Sequence, residues 1–400
     1  MKSLTKNKKE IEKYKNNIWK LYVFHFLANL FFISAILVPF FTEWGKITFF
    51  QIMILQAVFR FSMLFFEVPT GAFADTFGRK KSIVLGAFIT SLGAFCYISL
   101  PNFYIFILAE LLWGLGAAFI SGADQSLIFE SLKETKNEKL SKKILGRYES
   151  IALSAILIGS IIGGFLAENF GLRIPMLFSG ISILLASIFA FLIKEPKSFE
   201  KIKKENYFKN FKEGFFYFKN HKKIKVLALE IIFISSFAFF LIWVYQLILQ
   251  QQNFPIKYFG LVHAGITLSQ ILVLNNLVKV EKLFGGKNKY LLSTGITTGT
   301  GFLVLGFTNN LFFLIPAFLI ISAFGITRGT LIYNEIHHKI KIKQRATVIS
   351  TISMLVGIIS VLINLIFGFL IEKNLSYSLI FLGTITIFTT IYLSIKRKNL

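Results

Sequence analysis

Twelve stretches of this sequence stay apolar long enough to cross a lipid bilayer, and this restricts the fold more than any other feature. A membrane-spanning helix needs about 20 mostly apolar residues. The stretches are continuous and do not alternate with polar residues, which favours helices over barrel strands. The sequence therefore predicts an all-α membrane protein with twelve transmembrane helices, over residues 18–41, 47–70, 80–100, 103–130, 142–168, 172–193, 225–250, 257–281, 287–308, 311–335, 344–371 and 375–395.

Positive charges gather on one side of this predicted topology. If residues 1–17 lie in the cytoplasm, 38 of the 44 Lys and Arg residues fall on the cytoplasmic side, four in outside loops and two within spans. This asymmetry predicts a multi-pass protein with both termini in the cytoplasm. It also accounts for the net charge of +24. The cations on the cytoplasmic side are in addition suited to attract anionic lipid. The lipid bilayer is thus an expected partner, and nucleic acid is not.

Several chemical classes lack their usual sequence patterns. The one cysteine, Cys96, excludes an internal disulfide framework and a CxxC metal site. The five histidines form no metal-ligand spacing, and no phosphate-binding loop or nucleophile elbow occurs. We therefore expect no enzyme, no metal and no cofactor, and no ATP-driven pump encoded in this chain.

A long cytoplasmic segment divides the chain into two halves of six spans. It contains Phe208, Phe211, Phe215 and Phe218 with lysines between them, which fits an amphipathic helix at the membrane surface or a plain tether. The predicted organisation is a cytoplasmic tail (1–17), a six-helix bundle (18–193), a cytoplasmic linker with an amphipathic helix (194–224), a second six-helix bundle (225–395) and a second tail (396–400).

The two halves show a trace of internal duplication. Shifted by 207 residues, "ADTFGRKKSIVL" lies over "EKLFGGKNKYLL", and both segments follow the second span of their half. A match at one topological position favours two pseudo-symmetric bundles.

One loop carries a specific motif. Residues Gly71 to Lys81 read "GAFADTFGRKK" and lie between spans two and three. They closely resemble the signature loop of the major facilitator superfamily, G-x-x-x-D-x-x-G-R-[KR]-[KR]. The segments "EVPTGAFAD", "SGADQSLIFESL" and "RATVIS" further resemble a bacterial drug-efflux subgroup related to macrolide efflux permeases. The resemblance implies a transporter that works by alternating access in the bacterial plasma membrane, with a small-molecule substrate, protons as coupling ion and a monomeric state.

The motif implies a conformational switch. Gly71 and Gly78 permit a tight turn, and Arg79, Lys80 and Lys81 keep that turn in the cytoplasm. The rule that places cations in the cytoplasm does not explain Asp75, the acid of the motif. In the family pattern this acid meets the helix that begins near Arg345 and latches the outward-facing state. The predicted switch residues are Gly71, Asp75, Gly78, Arg79, Lys80 and Arg345.

Charged residues inside membrane spans are costly and are candidates for function by default. When "SLIF" (126–129) is aligned with "TLIY" (330–333), Asp124 superposes on Arg328. The resemblance places spans one, four, seven and ten around a central cavity. Two interpretations of Asp124 and Arg328 are open, namely a coupling or substrate-binding role and a static ion pair.

Three further charges lie in spans two and four. We expect Glu110 to pair with Arg60, because the resemblance makes these spans neighbours. Glu67 lies about a turn and a half from the signature loop, where it serves an inner gate or caps nearby backbone. These residues complete the predicted coupling or substrate set of Asp124, Arg328, Glu110, Arg60 and Glu67.

Small residues in span five favour close helix packing. Gly159, Gly163 and Gly164 form a small-xxx-small pattern that lets two helices approach closely. The resemblance places this stretch where the two halves slide past each other.

The function predicted from these features is proton-coupled efflux of lipophilic or amphiphilic compounds. The alternative is a permease of the same fold that takes up a metabolite or a siderophore-like solute. A scaffold or sensor that transports nothing is the third class, and it leaves the charges within the spans unexplained.

Overall fold

The structure is a computed structural model that describes residues 2–196, 216–217, 220–340 and 342–398. Within these ranges the chain is helical and contains no strand. Pro, Gly and polar residues separate the apolar runs, and the helices follow those runs closely. The α-helices are α1 (Lys2–Ala28), α2 (Leu37–Pro39), α3 (Phe49–Phe77), α4 (Arg79–Ser99), α5 (Phe103–Ile120), α6 (Ala123–Glu134), α7 (Ser141–Phe170), α8 (Arg173–Ala190), α9 (Lys222–Glu230), α10 (Ser236–Phe239), α11 (Leu241–Gln251), α12 (Phe259–Asn275), α13 (Leu277–Leu283), α14 (Lys287–Phe307), α15 (Leu311–Ile320), α16 (Arg328–Lys339), α17 (Ile342–Lys373) and α18 (Leu375–Lys398).

Shorter turns join some of these helices. Wider, π-helical turns cover Phe40–Trp44, Ile231–Ser235 and Ile321–Ile326, and tighter 3-10 turns cover Glu138–Leu140 and Ile256–Tyr258. The predicted linker helix, with Phe208, Phe211, Phe215 and Phe218, lies outside the described residues except for its last part.

Eleven helical segments of the described chain are long and apolar enough to cross a membrane. The predicted first span, 18–41, is not among them, because α1 ends at Ala28 and the chain then runs irregularly to Ile36. The expectation of a continuous helix there is wrong. The irregular stretch is buried, with Ile33, Ala35 and Ile36 almost inaccessible, as non-helical backbone at membrane depth must be.

Small residues from two neighbouring helices make room for this irregular stretch. Gly159 and Gly163 of α7 lie against the backbone of Phe31 and Phe32. Ser179 of α8 donates its hydroxyl to Pro175 and accepts from the backbone N–H of Ile33 at 3.3 Å. Gly159 and Gly163 thus lie close to the backbone of the interrupted first span, and their predicted place between the two halves remains a prediction.

The chain divides into two compact units, and each unit includes a short segment from the other half of the sequence. Unit 1 comprises Met1–Ile47, Ile54–Lys203 and Pro255–His263, and unit 2 comprises Thr48–Met53, Lys204–Phe254 and Ala264–Leu400. In unit 1, Gly164 of α7 lies against the carbonyl of Lys257, and Gly260 lies against that of Ser160. The start of α12 thus packs on α7 through two glycines. The predicted boundaries at 193 and 225 remain a prediction.

Each unit has its own apolar core near the charged residues described below. In unit 1 the core includes Leu21, Phe24, Leu127, Ile128, Tyr148 and Ile183. In unit 2 it includes Ile224, Leu227, Ile231, Tyr290, Leu331 and Ile336.

Replacing Gly163 with alanine should destabilise unit 1. A Cβ at this position overlaps the carbonyl oxygen of Phe32, and overpacking of a buried contact costs about 1–3 kcal/mol. We expect a lower thermal unfolding midpoint for Gly163→Ala in detergent. Gly146→Ala is the matched control, because it lies on the same helix with no atom within 4 Å of the added methyl group. Equal midpoints for the two variants would contradict this account of the first span.

Candidate functional site

The helices that carry charges within the membrane are interrupted beside those charges. The predicted fourth span breaks at Gly122, whose φ of +73° suits glycine, and Asp124 follows at the start of α6. Glu230 ends α9 immediately before the turn Ile231–Ser235, and Arg328 begins α16 shortly after the turn Ile321–Ile326. Interrupted helices leave backbone groups free at membrane depth, and such places commonly form binding sites.

Asp124 is buried and hydrogen bonded on both carboxylate oxygens. The Tyr148 hydroxyl of α7 donates to Oδ2 at 2.8 Å, and the backbone N–H of Gln125 donates to Oδ1 at 2.7 Å. Only 7% of Asp124 is exposed. The carboxylate lies in the first turn of α6, where the helix dipole favours negative charge. The arrangement therefore satisfies both carboxylate oxygens of a buried acid within unit 1.

Tyr148 connects Asp124 to the first span. Its ring stacks on that of His25, with centroids 3.6 Å apart and planes inclined by 17°. His25 Nδ1 lies 3.3 Å from the side-chain nitrogen of Asn29, and Nε2 is buried without a hydrogen-bond partner among the described residues. Tyr148 was not predicted, because nothing in the sequence shows which tyrosine faces Asp124.

In unit 2 a buried carboxylate joins two arginines. Glu230 of α9 accepts from Arg328 of α16 at 2.9 Å and from Arg397 of α18. All three side chains are buried. Arg397 also donates to the backbone carbonyl of Asn288 at 3.1 Å. Three helices of unit 2 are therefore tied together at one carboxylate.

Arg328 and Asp124 each have a partner inside their own unit. In unit 2 Arg328 pairs with Glu230, and in unit 1 the Tyr148 hydroxyl donates to Asp124; the pairing of Asp124 with Arg328 remains a prediction. Glu230 was missed although an acid within "VLALEIIF" is a usable signal. Arg397 was assigned to the cytoplasmic tail 396–400.

The Glu230 cluster holds more positive than negative charge. Arg328 Nε and Nη1 and Arg397 Nε are buried without hydrogen-bond partners among the described residues. Gly295 of α14 leaves space for Arg328, because a Cβ there would lie 2.6 Å from Nη1. Two guanidinium groups around one carboxylate give the cluster a formal charge of +1, which suits binding of a further anionic or carbonyl group.

Glu110 is buried and bonded to neutral groups. The Gln56 amide donates to Oε1 at 3.1 Å, and the Tyr97 hydroxyl is a second hydrogen-bond partner. Arg60 is exposed and lies 5.8 Å from the ring centroid of Phe59. The predicted Arg60–Glu110 pair is wrong, because the described residues contain no such ion pair. Glu67 is exposed on α3.

Gly78 forms the turn of the signature loop, whereas Gly71 does not. Helix α3 continues to Phe77, so Gly71 lies inside the helix with open space at its Cβ position. The expectation of a turn at Gly71 is wrong. Gly78 adopts φ +106°, a conformation that favours glycine.

A carboxylate that the motif does not contain caps the helix after this turn. Glu195 accepts from the backbone N–H groups of Arg79 and Lys80 at 2.8 and 2.9 Å. Arg79 in turn pairs with Asp75 at 2.8 Å and approaches Glu130 at 3.6 Å. The motif therefore ties together the ends of α3, α6 and α8. The side chain of Arg345, the predicted partner of Asp75, lies outside the described residues.

Unit 2 has a glycine turn and an ion pair at the positions that correspond to those of unit 1. Gly286 has φ +100° immediately before α14, as Gly78 has before α4. Lys287 and Lys339 both pair with Glu335, in the way that Arg79 approaches Glu130. Gly78 thus corresponds to Gly286, one residue away from the alignment expected from the sequence.

No cluster in the described part of the chain brings together three or more His, Cys, Asp or Glu side chains in a way that could hold a metal ion. The charged groups of the site are instead paired by hydrogen bonds and by arginine.

Removing the charge of Glu230 should strongly destabilise unit 2. Glu230→Gln leaves two buried arginines without a carboxylate, and breaking a buried pair in this way costs about 3–5 kcal/mol. We expect a large drop in the thermal unfolding midpoint. The double variant Glu230→Gln/Arg397→Gln should recover part of it, because one unpaired charge is gone.

Glu335→Gln is the matched control for this prediction. It also removes a carboxylate that pairs with two cations, but Glu335 is partly exposed, and such pairs contribute about 1 kcal/mol or less. Similar midpoints for Glu230→Gln and Glu335→Gln would show that the Glu230 cluster is not a structural centre.

Comparison with known proteins agrees with the fold and the motif. The family model described as Major Facilitator Superfamily matches residues 19–326. Among curated proteins, the chain is 30% identical over 194 residues to Multidrug resistance protein 2 of Bacillus subtilis, which covers 46% of this chain and 45% of that protein. It is 32% identical over 147 residues to the multi-drug resistance efflux pump PmrA of Streptococcus pneumoniae, covering 36% and 35%.

These matches are partial, and the structural likeness is more extensive. The chain spans about half the length, or less, of these curated relatives. The crystal structure of the nucleoside transporter NupG superposes with a TM-score of 0.82 at 10% identity, over 96% of this chain and 99% of that one. At this identity the likeness concerns the fold alone. The family match covers most of the sequence and includes the motif at Gly71–Lys81, so the chain belongs to the major facilitator superfamily.

Proposed function

We propose that this protein is a secondary active transporter that exports lipophilic or amphiphilic compounds in exchange for protons, by alternating access. The observation that carries the proposal is Asp124, a buried carboxylate at the start of an interrupted helix, bonded to Tyr148. A buried acid whose hydrogen-bond partners are neutral is suited to take up and release a proton.

Proton binding at Asp124 would change its hydrogen bonds. As a carboxylate, Asp124 accepts from Tyr148 and from the backbone of Gln125. Once protonated on Oδ2 it becomes a donor there and can donate to the Tyr148 oxygen, so the Tyr148 hydroxyl proton must turn to another acceptor. The Tyr148 ring packs face to face on His25, and its movement would therefore reach the interrupted first span. This is how the proton would favour one conformation over the other.

Efflux is supported by the names of the relatives. Both curated proteins compared above carry resistance or efflux in their names, and the apolar composition suits a lipophilic substrate. The alternative is uptake of a metabolite or a siderophore-like solute. The likeness to a nucleoside transporter concerns the fold, so it supports neither direction.

The proposed topology follows the same lines. We propose twelve membrane spans in two six-helix bundles. Eleven of them are the segments that are long and apolar enough to cross a membrane, and the first is α1 with the buried stretch that follows it. Both termini are placed in the cytoplasm of a bacterium by the distribution of lysine and arginine. A monomer suffices for transport, because each proposed site is formed within one chain.

Proton coupling is tested by transport in liposomes with an imposed pH gradient. We expect Asp124→Asn and Glu110→Gln to lose gradient-driven transport of dyes and antibiotics, because neither variant side chain binds a proton. Tyr148→Phe keeps the acid and removes one hydrogen bond, and should retain transport with an altered pH dependence. Parent-like transport by both acid variants between about pH 6 and 8 would refute proton coupling at these positions. Gradient-driven accumulation on the opposite side would favour the uptake alternative.

Asp75 is proposed to act in switching between conformations, together with Gly78, Arg79, Lys80 and Arg345. Asp75→Asn should reduce the transport rate while changing the thermal unfolding midpoint little, because the Asp75 side chain is 34% exposed and such pairs contribute about 1 kcal/mol or less. Glu130→Gln is a control at the same arginine. A parent-like transport rate for Asp75→Asn would leave the motif with a role in topology alone.

A further inference from the structure

A basic cavity lies within unit 2, beside the start of α14. Its volume is about 640 Å³, and it is lined by residues from α9, α14, α16 and α18. Among the described residues, five cations and one acid, Glu335, line it. The cations are Lys223, Lys287, Lys289, Lys339 and Arg397. With Glu335 shared between Lys287 and Lys339, the lining keeps a strong positive excess.

The start of α14 presents backbone donors to this cavity. The first N–H groups of a helix have no acceptor within the helix, and they bind anions readily. In unit 1 the corresponding position, after Gly78, is filled by the Glu195 carboxylate. In unit 2 no side chain of the described residues accepts from the N–H groups that follow Gly286, and a Cβ at Gly286 would have no atom within 4 Å. The same turn is thus closed by a carboxylate in one unit and open to a cavity in the other.

Arg397 supplies a second and independent observation. It is 8% exposed and lines the cavity, and its guanidinium is held in the wall by Glu230 and the Asn288 carbonyl. A guanidinium fixed in this way adds a positive charge at a defined position of the lining. Because Arg397 also holds Glu230, an anion in the cavity would act on the cluster that contains Arg328.

We propose that this cavity binds a phosphate group, supplied either by the headgroup of an anionic lipid or by a soluble phosphate compound. Several lysines around one helix start suit a compact anion with more than one negative charge. At the corresponding turn of unit 1, a single side chain, the Glu195 carboxylate, binds the free N–H groups. The cavity in unit 2 has the volume and the excess charge for a larger anion that comes from outside the fold.

The experiment uses the purified full chain in neutral detergent and in phosphatidylcholine nanodiscs. Inorganic pyrophosphate binding is measured by calorimetry, and the effect of phosphatidylglycerol on the thermal unfolding midpoint is measured in discs with and without that lipid. The test variant is Lys223→Gln/Lys289→Gln, which removes two lining lysines and spares the pairs of Glu335. The control is Lys222→Gln/Lys282→Gln, which removes the same charge from positions outside the lining.

We expect the parent to respond to at least one probe, and the test variant to bind that probe roughly ten- to thirtyfold more weakly. The control should bind like the parent. A response to pyrophosphate identifies a soluble ligand, and a response confined to phosphatidylglycerol identifies a lipid headgroup. The proposal is overturned if the parent responds to neither probe, or if the control loses as much affinity as the test variant, since that result indicates diffuse attraction to the whole basic surface.

Discussion

One carboxylate between two arginines holds three helices of unit 2 together. Glu230 connects α9 with α16 and α18, and these helices also form the wall of the basic cavity. Charges at membrane depth are tolerated when they are paired inside the protein. This contact fixes the position of Arg328 and the orientation of Arg397. It also fixes the end of α9 before the wide turn that follows.

The two units meet the same requirement with different chemistry. In unit 1 the buried acid Asp124 has neutral partners, and in unit 2 the buried acid Glu230 has cationic ones. Unit 1 therefore holds its buried acid with neutral hydrogen-bond donors, the Tyr148 hydroxyl and the backbone N–H of Gln125. Unit 2 holds its buried acid in an ion cluster with two arginines.

The sequence predicted the helices well and the partners poorly. Apolar run length is a local property, so eleven of the spans followed from it. The turn at Gly78 followed from the glycine in the motif. Ion-pair partners depend on how helices pack, which is why Glu230, Tyr148 and Glu195 were missed although Arg328, Asp124 and Arg79 were singled out. Glu110 was assigned to Arg60 because neighbouring spans alone were considered, and the side chains point elsewhere. The interrupted first span has no glycine and no early proline to reveal it.

That interruption has a consequence for biogenesis. The backbone after Ala28 is stabilised by residues that are synthesised much later, in α7 and α8, such as Gly163 and Ser179. Until those helices leave the ribosome, the first span holds unbonded peptide groups that lipid does not accept. The emerging chain must therefore keep this span beside the insertion machinery, or near water, until the sixth span arrives. The first span is thus completed late, after most helices of unit 1 are already in the membrane.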